Sequence, residues 1–132
     1  MNVYVANTSR NGKGIFAAED IRESSLIFIV EGLLRQQSYH PDLYMIGERW
    51  LGMGHELWME PPEKNPMYYT NHSCQPTASI EDRIKVVAAR FIRKDEEITF
   101  DYALTEEDPY WRMDCNCGSP GCRKIIYSCA RF

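Results

Sequence analysis

Short apolar runs separated by polar, turn-forming residues are the dominant pattern of the sequence. Such runs lie at residues 3–6, 15–18, 25–30, 84–92 and 98–100. The run at 25–30 is rich in β-branched and aromatic residues, which predicts a strand buried on both faces. The run at 84–92 is the clearest strand of the chain, and the run at 98–100 follows a polar turn at 93–96. The pattern therefore predicts many short strands.

Residues 33–66 show the weakest pattern. Glycine and proline recur there, which argues against any long helix or strand; they are Gly52, Gly54, Pro61, Pro62 and Pro66. Residues 41–47 predict a short helical turn, because Pro41 would occupy its favoured first position. Together with the short strands, this predicts a mostly β domain closed by a small cysteine-rich tail.

Length and charge narrow the classes of function. The chain has 132 residues, which is enough for one domain with a single core. Its net charge is -4 and it has no run of Lys and Arg, so it suits a basic peptide better than a nucleic-acid backbone. No apolar stretch approaches the roughly 20 residues that span a bilayer, and the first residues lack the layout of a signal peptide. A soluble, intracellular protein without a membrane partner is expected.

Three cysteines, Cys115, Cys117 and Cys122, lie close together near the end of the chain. Without a secretion signal, such a cluster favours a metal site over disulfides. Thiolates bind Zn²⁺ tetrahedrally, and a structural site requires a fourth ligand. The residues leave five candidates for that ligand: Cys74, Cys129, His40, His55 and His72.

The segment Asn71-His72-Ser73-Cys74 is rich in reactive side chains. Alone it favours a polar turn over a catalytic cluster, because catalytic partners usually come from distant positions. Its neighbours change this interpretation, since four segments occur in one order: residues 12–21, 71–76, 95–102 and 115–123. The ordered set resembles the SET-domain protein lysine methyltransferases that carry the post-SET zinc motif. The resemblance covers nearly the whole chain.

The resemblance implies a fold and a division of the chain. The expected fold is a SET domain of small β-sheets with a knot-like active site, in which segment 71–74 passes beneath a loop formed by the following strands. The SET domain would occupy residues 1–110, with a variable insert at about 33–66. A short cysteine-rich post-SET tail at 111–132 would bind zinc.

The same resemblance implies S-adenosylmethionine as the cofactor and a structural zinc ion. The family positions that contact the cofactor correspond to Asn71, His72 and the backbone of Lys13, Gly14 and Ile15. Further cofactor contacts are expected from Tyr44, Tyr68, Tyr102 and Trp111, with Tyr68 standing where the family has an arginine. The zinc ligands implied are Cys74, Cys115, Cys117 and Cys122.

Methyl transfer to an amine depends mainly on alignment and electrostatics. Tyr102 matches the family tyrosine whose hydroxyl lies where the methyl donor and the amine meet. Phe100 falls at the family's Phe/Tyr switch, where phenylalanine implies room for more than one methyl group. Tyr44 would line the lysine site. Val30 stands where the family often has a second tyrosine, which would remove a hydroxyl from the lysine channel.

The expected substrate is a lysine in a basic protein segment, and a histone tail is the family's commonest target. The nucleus, the cytoplasm and a host cell are all compatible with the sequence. The main rival is a SET-like module that binds a basic peptide and zinc without turnover, which Val30 favours. A zinc-dependent nucleic-acid module is opposed by the acidic charge. A cysteine hydrolase would instead use Cys74 as its nucleophile.

Overall fold

The computed structural model describes residues 2–10, 12–39 and 50–131. The strands among these residues are β1 (Val3–Asn7), β2 (Lys13–Ala17), β3 (Leu26–Ile29), β4 (Leu33–Gln36), β5 (Leu51–Gly54), β6 (Leu57–Glu60), β7 (Asn71–His72), β8 (Ala78–Glu81), β9 (Lys85–Ala88), β10 (Glu97–Phe100), β11 (Arg112–Asp114) and β12 (Ile125–Tyr127). Two short 3-10 helices span Pro66–Tyr69 and Tyr102–Leu104. Within the described ranges, no helix has the length and apolar character needed to cross a membrane.

The strands are divided among four small sheets. The largest has the order β1-β2-β10-β7, and two three-stranded sheets have the orders β3-β9-β8 and β4-β6-β5. Strands β11 and β12 form a separate antiparallel pair near the end of the chain. Strands β7 and β10 pair in parallel, unlike the antiparallel pairs around them. This architecture confirms the expected mostly β fold of small sheets.

The hydrophobic core draws on strands from the three larger sheets. Ile15 on β2 lies opposite Ile98 on β10, and both side chains are fully buried. Burying a side chain of this size contributes about 1.5–3 kcal/mol. The other members of the core cluster are Ala17, Ile21, Ile27, Phe28, Val30, Leu51, Met67, Ala78, Val86, Ala88, Ile92 and Phe100. The core therefore holds β10 firmly between β2 and β7, and the end of β10 carries the candidate site.

Two strand predictions require correction. The strand predicted at 25–30 exists, but the expectation that it is buried on both faces is wrong, because Leu26 and Ile29 at the ends of β3 are exposed. The strand predicted at 84–92 is too long, since β9 ends at Ala88. Ile92 instead forms an isolated antiparallel bridge with Ile21, so a turn separates the two buried segments.

Residues 33–66 contain a small sheet that the sequence pattern does not predict. Strands β4, β5 and β6 pair antiparallel, with a register shift between Gly52 and Gly54. A Cβ on Gly52 would lie 2.6 Å from Glu107 Cγ and 2.8 Å from the Thr105 carbonyl oxygen. Glycine is needed there because segment 105–107 packs directly against β5. The helical turn predicted at 41–47 lies outside the described residues.

Candidate active site and metal centre

The parallel pair of β7 and β10 brings two distant sequence motifs together. Asn71 lies opposite Thr99, and His72 lies opposite Phe100. The Ser73 backbone N–H donates to the Phe100 carbonyl oxygen at 3.1 Å, which extends the pairing beyond β7. Because paired parallel strands end at the same edge of a sheet, the residues that follow β7 and β10 leave the sheet side by side.

The Asn71 side chain fastens the glycine-rich loop to this edge. Its amide donates to the Lys13 carbonyl oxygen at 2.9 Å and to the Glu97 carboxylate at 3.0 Å. Gly14 permits this approach, because a Cβ there would lie 3.0 Å from Asn71 Nδ2 and 2.6 Å from Glu97 Oε2. The side chain of Ile15 is buried in the core behind the loop. The predicted cofactor loop is therefore held against β7.

The His72 ring connects the end of β10 to Cys74. Its Nδ1 accepts a hydrogen bond from the Tyr102 backbone N–H at 3.0 Å, so the ring proton lies on Nε2, which is 3.4 Å from Cys74 Sγ. Burial lowers the pKa of His72 below its ordinary value, and this outweighs the opposite effect of the nearby Asp101 carboxylate. The ring is therefore neutral near pH 7, and its 3.6 Å contact with Asp101 is not an ion pair.

Tyr102 lies two residues beyond the end of β10, at the start of the 3-10 helix. Its hydroxyl donates to the Thr70 carbonyl oxygen at 2.7 Å. The centre of its ring lies 4.9 Å from that of Phe100 and 5.3 Å from that of His72. Thr70, Phe100 and His72 are all buried, so the position of the tyrosine hydroxyl is fixed by well-packed neighbours.

A cleft of about 360 Å³ opens beside these side chains, which is a volume typical of small-molecule sites. The residues that line it are Asn71, His72, Tyr102, Met113, Asp114, Cys115, Asn116 and Cys117. Three of the lining residues belong to the parallel-strand edge and five to the cysteine-rich tail. Asp114 and Asn116 had no distinguishing sequence signal, because they are ordinary polar residues in a region marked by its cysteines.

Two other predicted cofactor residues, Tyr68 and Trp111, are not part of this lining. Tyr68 is half-exposed on the 3-10 helix Pro66–Tyr69, with its ring 5.0 Å from that of Tyr69. Trp111 precedes β11, and its carbonyl oxygen accepts a hydrogen bond from Ser128 N–H at 3.2 Å. Tyr44, predicted for both the cofactor and the lysine site, lies outside the described residues.

Four cysteine sulfur atoms form a compact cluster beside the cleft. The ligand atoms, which all lie within 4.8 Å of one another, belong to Cys74, Cys115, Cys117 and Cys122. The sulfurs of Cys74 and Cys115 are 3.7 Å apart, close to the edge of about 3.8 Å for a tetrahedron with Zn–S bonds of about 2.3 Å. Burial raises the pKa of the Cys115 thiol, and a bound cation would favour its thiolate form. The donor set fits a structural zinc ion.

The other described candidates for the fourth ligand are engaged or placed elsewhere. Cys129 Sγ lies 3.5 Å from the Glu106 carbonyl oxygen, to which it donates. His55 lies in an exposed turn between β5 and β6. Both nitrogens of His72 have protein partners, and His40 lies outside the described residues. Among the described candidates, the geometry favours Cys74.

Comparison with known proteins identifies relatives of this domain. The chain is 31% identical over 137 residues to human histone-lysine N-methyltransferase 2D. The alignment covers 93% of this chain and 2% of that protein. It is 32% identical over 141 residues to the H3 lysine-36 specific histone-lysine N-methyltransferase of Candida albicans, which covers 94% of this chain and 16% of that protein. The chain therefore spans only a small part of the length of these relatives.

The fold and the family agree. The solved structure of KRYPTONITE in complex with DNA, a histone H3 peptide and SAH has a TM-score of 0.71, covering 96% of this chain and 29% of that chain. At 23% identity this similarity concerns the fold alone. The family model for the SET domain matches residues 12–103 of this sequence, from the glycine-rich loop through Tyr102. This match extends over more than half of the chain, which therefore belongs to the SET-domain family.

Proposed function

We propose that this SET domain transfers a methyl group from S-adenosylmethionine to the side-chain amine of a lysine in a protein substrate, with histones as the substrate class. The observation that carries the proposal is the meeting of Asn71, His72 and Tyr102 in one cleft beside β7 and β10. The relatives described above are named histone-lysine N-methyltransferases, and KRYPTONITE was solved with SAH and a histone H3 peptide. These names support the same reaction.

The residues around the cleft suit the proposed cofactor, which would supply a methyl group carried on a sulfonium. Asn71 uses its amide nitrogen within the protein, so its carboxamide oxygen is the group that can accept a hydrogen bond from a ligand. The Lys13–Ile15 backbone adjoins it, and the neutral His72 ring forms part of the wall. Tyr44, Tyr68 and Trp111 remain predicted contacts from the family pattern.

Tyr102 has the properties required to orient an amine. Its hydroxyl donates its hydrogen to the Thr70 carbonyl oxygen, so towards a substrate the hydroxyl oxygen acts as an acceptor. A substrate amine that donates an N–H to this oxygen would direct its nitrogen lone pair away from the hydroxyl. Because the tyrosine ring is fixed, it would hold the amine in that orientation. Phe100, packed against Tyr102, adds no hydroxyl of its own. This supports the prediction that more than one methyl group can be accommodated.

The substrate lysine must lose a proton before it can react. A free lysine has a pKa near 10.4, and removal from water lowers that value. The chain's net charge of -4 would attract a basic segment over long range without favouring nucleic acid. The proposal is for a soluble intracellular enzyme, because histones are intracellular proteins. We further propose that residues 111–132 act as the zinc-binding tail, joined to the SET domain at Cys74.

The direct test incubates the protein with labelled S-adenosylmethionine and core histones, beside two tyrosine variants. Tyr102→Phe should retain its fold and its cofactor binding but lose most transfer, by about 100-fold or more. Tyr4→Phe is a matched control, because it also removes a tyrosine hydrogen bond of 2.7 Å: Tyr4, on the outer strand β1, donates to Asp95 in the turn before β10. Full activity in Tyr102→Phe would exclude the catalytic role proposed for this hydroxyl.

A non-catalytic binding module is the alternative, and Val30 is the observation that favours it. Val30 is 1% exposed and packs in the core, so its side chain supplies no hydroxyl where the family often has a tyrosine. Binding of S-adenosylmethionine and of a histone peptide in calorimetry, without any labelled product, would favour this alternative. Labelled histone that disappears in Tyr102→Phe would reject it.

A further inference from the structure

Arg123, the residue after the third cysteine of the tail, connects the four-cysteine cluster to the start of the 3-10 helix Tyr102–Leu104. Its backbone N–H and its side-chain Nε–H each lie 3.4 Å from Cys74 Sγ and donate to it. The same guanidinium places Nη2 2.8 Å from Asp101 Oδ1. One side chain thus contacts a predicted zinc ligand and the carboxylate that precedes Tyr102.

Asp101 controls the backbone of the helix that begins at Tyr102. Its Oδ1 accepts the Ala103 backbone N–H at 3.1 Å and so caps the 3-10 helix Tyr102–Leu104. The side chain of Asp101 is only 12% exposed, so rotation away from Arg123 would disturb both the cap and the packing. The Arg123–Asp101 pair therefore restrains the segment that holds the Tyr102 ring in the cleft.

A second connection from the same sulfur reaches Tyr102 through His72. His72 Nε2–H lies 3.4 Å from Cys74 Sγ, and Nδ1 accepts the Tyr102 backbone N–H. The two connections meet at Cys74, one through Arg123 and Asp101 and the other through a neutral ring. Cys74 Sγ thus has three N–H donors from two residues.

Charge explains why an arginine suits this position. A dication held by four thiolates keeps a net negative charge, which is costly to hold beside a buried ring unless donors and positive charge compensate it. A guanidinium has several donors in a rigid planar arrangement, so it can serve a sulfur and a carboxylate at once. A lysine ammonium is a compact point charge and lacks this fixed two-sided geometry.

We propose that Arg123 is a positioning residue, through which the zinc-bound Cys74 thiolate fixes the Asp101 cap and hence the place of Tyr102. The inference rests on the methyl transfer proposed above. Outer groups that hold metal ligands typically affect activity or metal affinity by about 10-fold to 100-fold. Since Arg123→Gln leaves all four thiols intact, we expect zinc to be retained and the effect to fall on catalysis.

The test compares Arg123→Gln with Arg83→Gln in the full chain. Arg83 is the matched control because it also forms an ion pair with a carboxylate, at 2.7 Å from Glu107, and has similar exposure. Arg123→Gln should lower kcat by about 10-fold or more, with zinc content and the KM values for cofactor and peptide unchanged. Equal kcat in the two variants, or loss of zinc together with activity, would overturn the positioning role.

Two readouts are independent of turnover. In the cobalt-substituted protein, loss of the side-chain Nε–H donor to Cys74 should shift the sulfur-to-metal charge-transfer band to lower energy in Arg123→Gln and not in Arg83→Gln. The backbone amide resonances of Tyr102 and Ala103 should move in the same variant. If the wild type transfers no methyl group, the proposed reaction fails, while these spectra still test the Arg123 connection. Unchanged spectra would overturn it.

A double variant tests whether Arg123 acts through Asp101. Asp101→Asn keeps an oxygen for the Ala103 cap but removes the charge that pairs with Arg123. If the two residues act as one connection, Arg123→Gln combined with Asp101→Asn should lose no more kcat than the more damaging single variant. Fully multiplicative losses would overturn the connection through Asp101.

Discussion

Gly14→Ala should damage the candidate site without disturbing the core. The added Cβ would lie 2.6 Å from Glu97 Oε2, 2.9 Å from Thr8 Cγ2 and 3.0 Å from Asn71 Nδ2. Glu97 ends a flexible side chain and can turn away, but it then loses its 3.0 Å hydrogen bond from Asn71. Gly14 itself has no left-handed backbone conformation, so alanine is compatible with the local geometry.

The expected cost follows from these contacts. A hydrogen bond to a charged group contributes about 1.5–3 kcal/mol, and replacement of glycine by alanine recovers about 0.4–1 kcal/mol through the unfolded chain. We expect the free energy of unfolding to fall by about 1–2 kcal/mol. Asn71 also lines the cleft. A displacement of Asn71 that reduces the binding free energy by about 1.4 kcal/mol would therefore weaken the affinity for S-adenosylmethionine about tenfold.

Urea unfolding and calorimetric titration with S-adenosylmethionine measure the two effects. Gly121→Ala is the matched control for stability, because its added Cβ meets no heavy atom within 4 Å. Gly14→Ala should also reduce the free energy of unfolding by less when Glu97 is already replaced by alanine, because the nearest clash is then absent. Wild-type stability together with wild-type cofactor affinity in Gly14→Ala would refute the argument that this close approach sets the cleft.

Two further predictions concern neighbouring side chains. Phe100→Tyr would place a hydroxyl on the buried ring beside Tyr102 and should restrict the product towards monomethyl-lysine, whereas unchanged methyl states in mass spectrometry would contradict the switch assignment. Burial raises the pKa of Glu106 from 4.5 to about 7, so the folded protein retains a proton that the unfolded chain releases above pH 4.5. That contribution, on the order of 3 kcal/mol, is complete below pH 4.5 and is lost as the pH rises from 4.5 through 7. Glu106→Gln should flatten this dependence in urea unfolding, and equal slopes in both proteins would contradict it.

The strands that local pattern predicts are those with strong β-branched content and clear turns. Strand β10 follows the turn at residues 93–96, and Asp95 there has a left-handed φ of 70°, which aspartate tolerates better than most residues. The local sequence pattern does not predict the sheet of β4, β5 and β6. Gly52 and Gly54 disfavour strand locally, and the sheet depends on pairing and on the distant segment 105–107.

The candidate site also contains some residues that the sequence predicts and others that it does not. The positions of Asn71, His72 and Tyr102 follow from recognisable motifs, and the structure brings them to one cleft. Arg123 ends the cysteine motif, but its role does not follow from that motif, because its partner Cys74 lies 49 positions away in the sequence. Only the folded arrangement distinguishes it from other exposed arginines. Local sequence therefore predicts the side chains that could face a ligand better than it predicts the groups that hold them in place.

The four-cysteine cluster lies where the tail meets the rest of the protein, and the tail's contacts there lie mostly outside the main hydrophobic core. Within the described residues, the core cluster has no member beyond Phe100, apart from the partly buried Tyr102 packed against it. The last turn of the chain is held by hydrogen bonds from Cys129 N–H to the Ala103 carbonyl at 2.9 Å and from Ser128 Oγ to the Glu106 carbonyl at 2.7 Å. Tail residues nevertheless form most of the cleft lining. A metal that joins Cys74 to the tail would therefore stabilise the cleft rather than the core, and folding of the sheets and completion of the site become separable events.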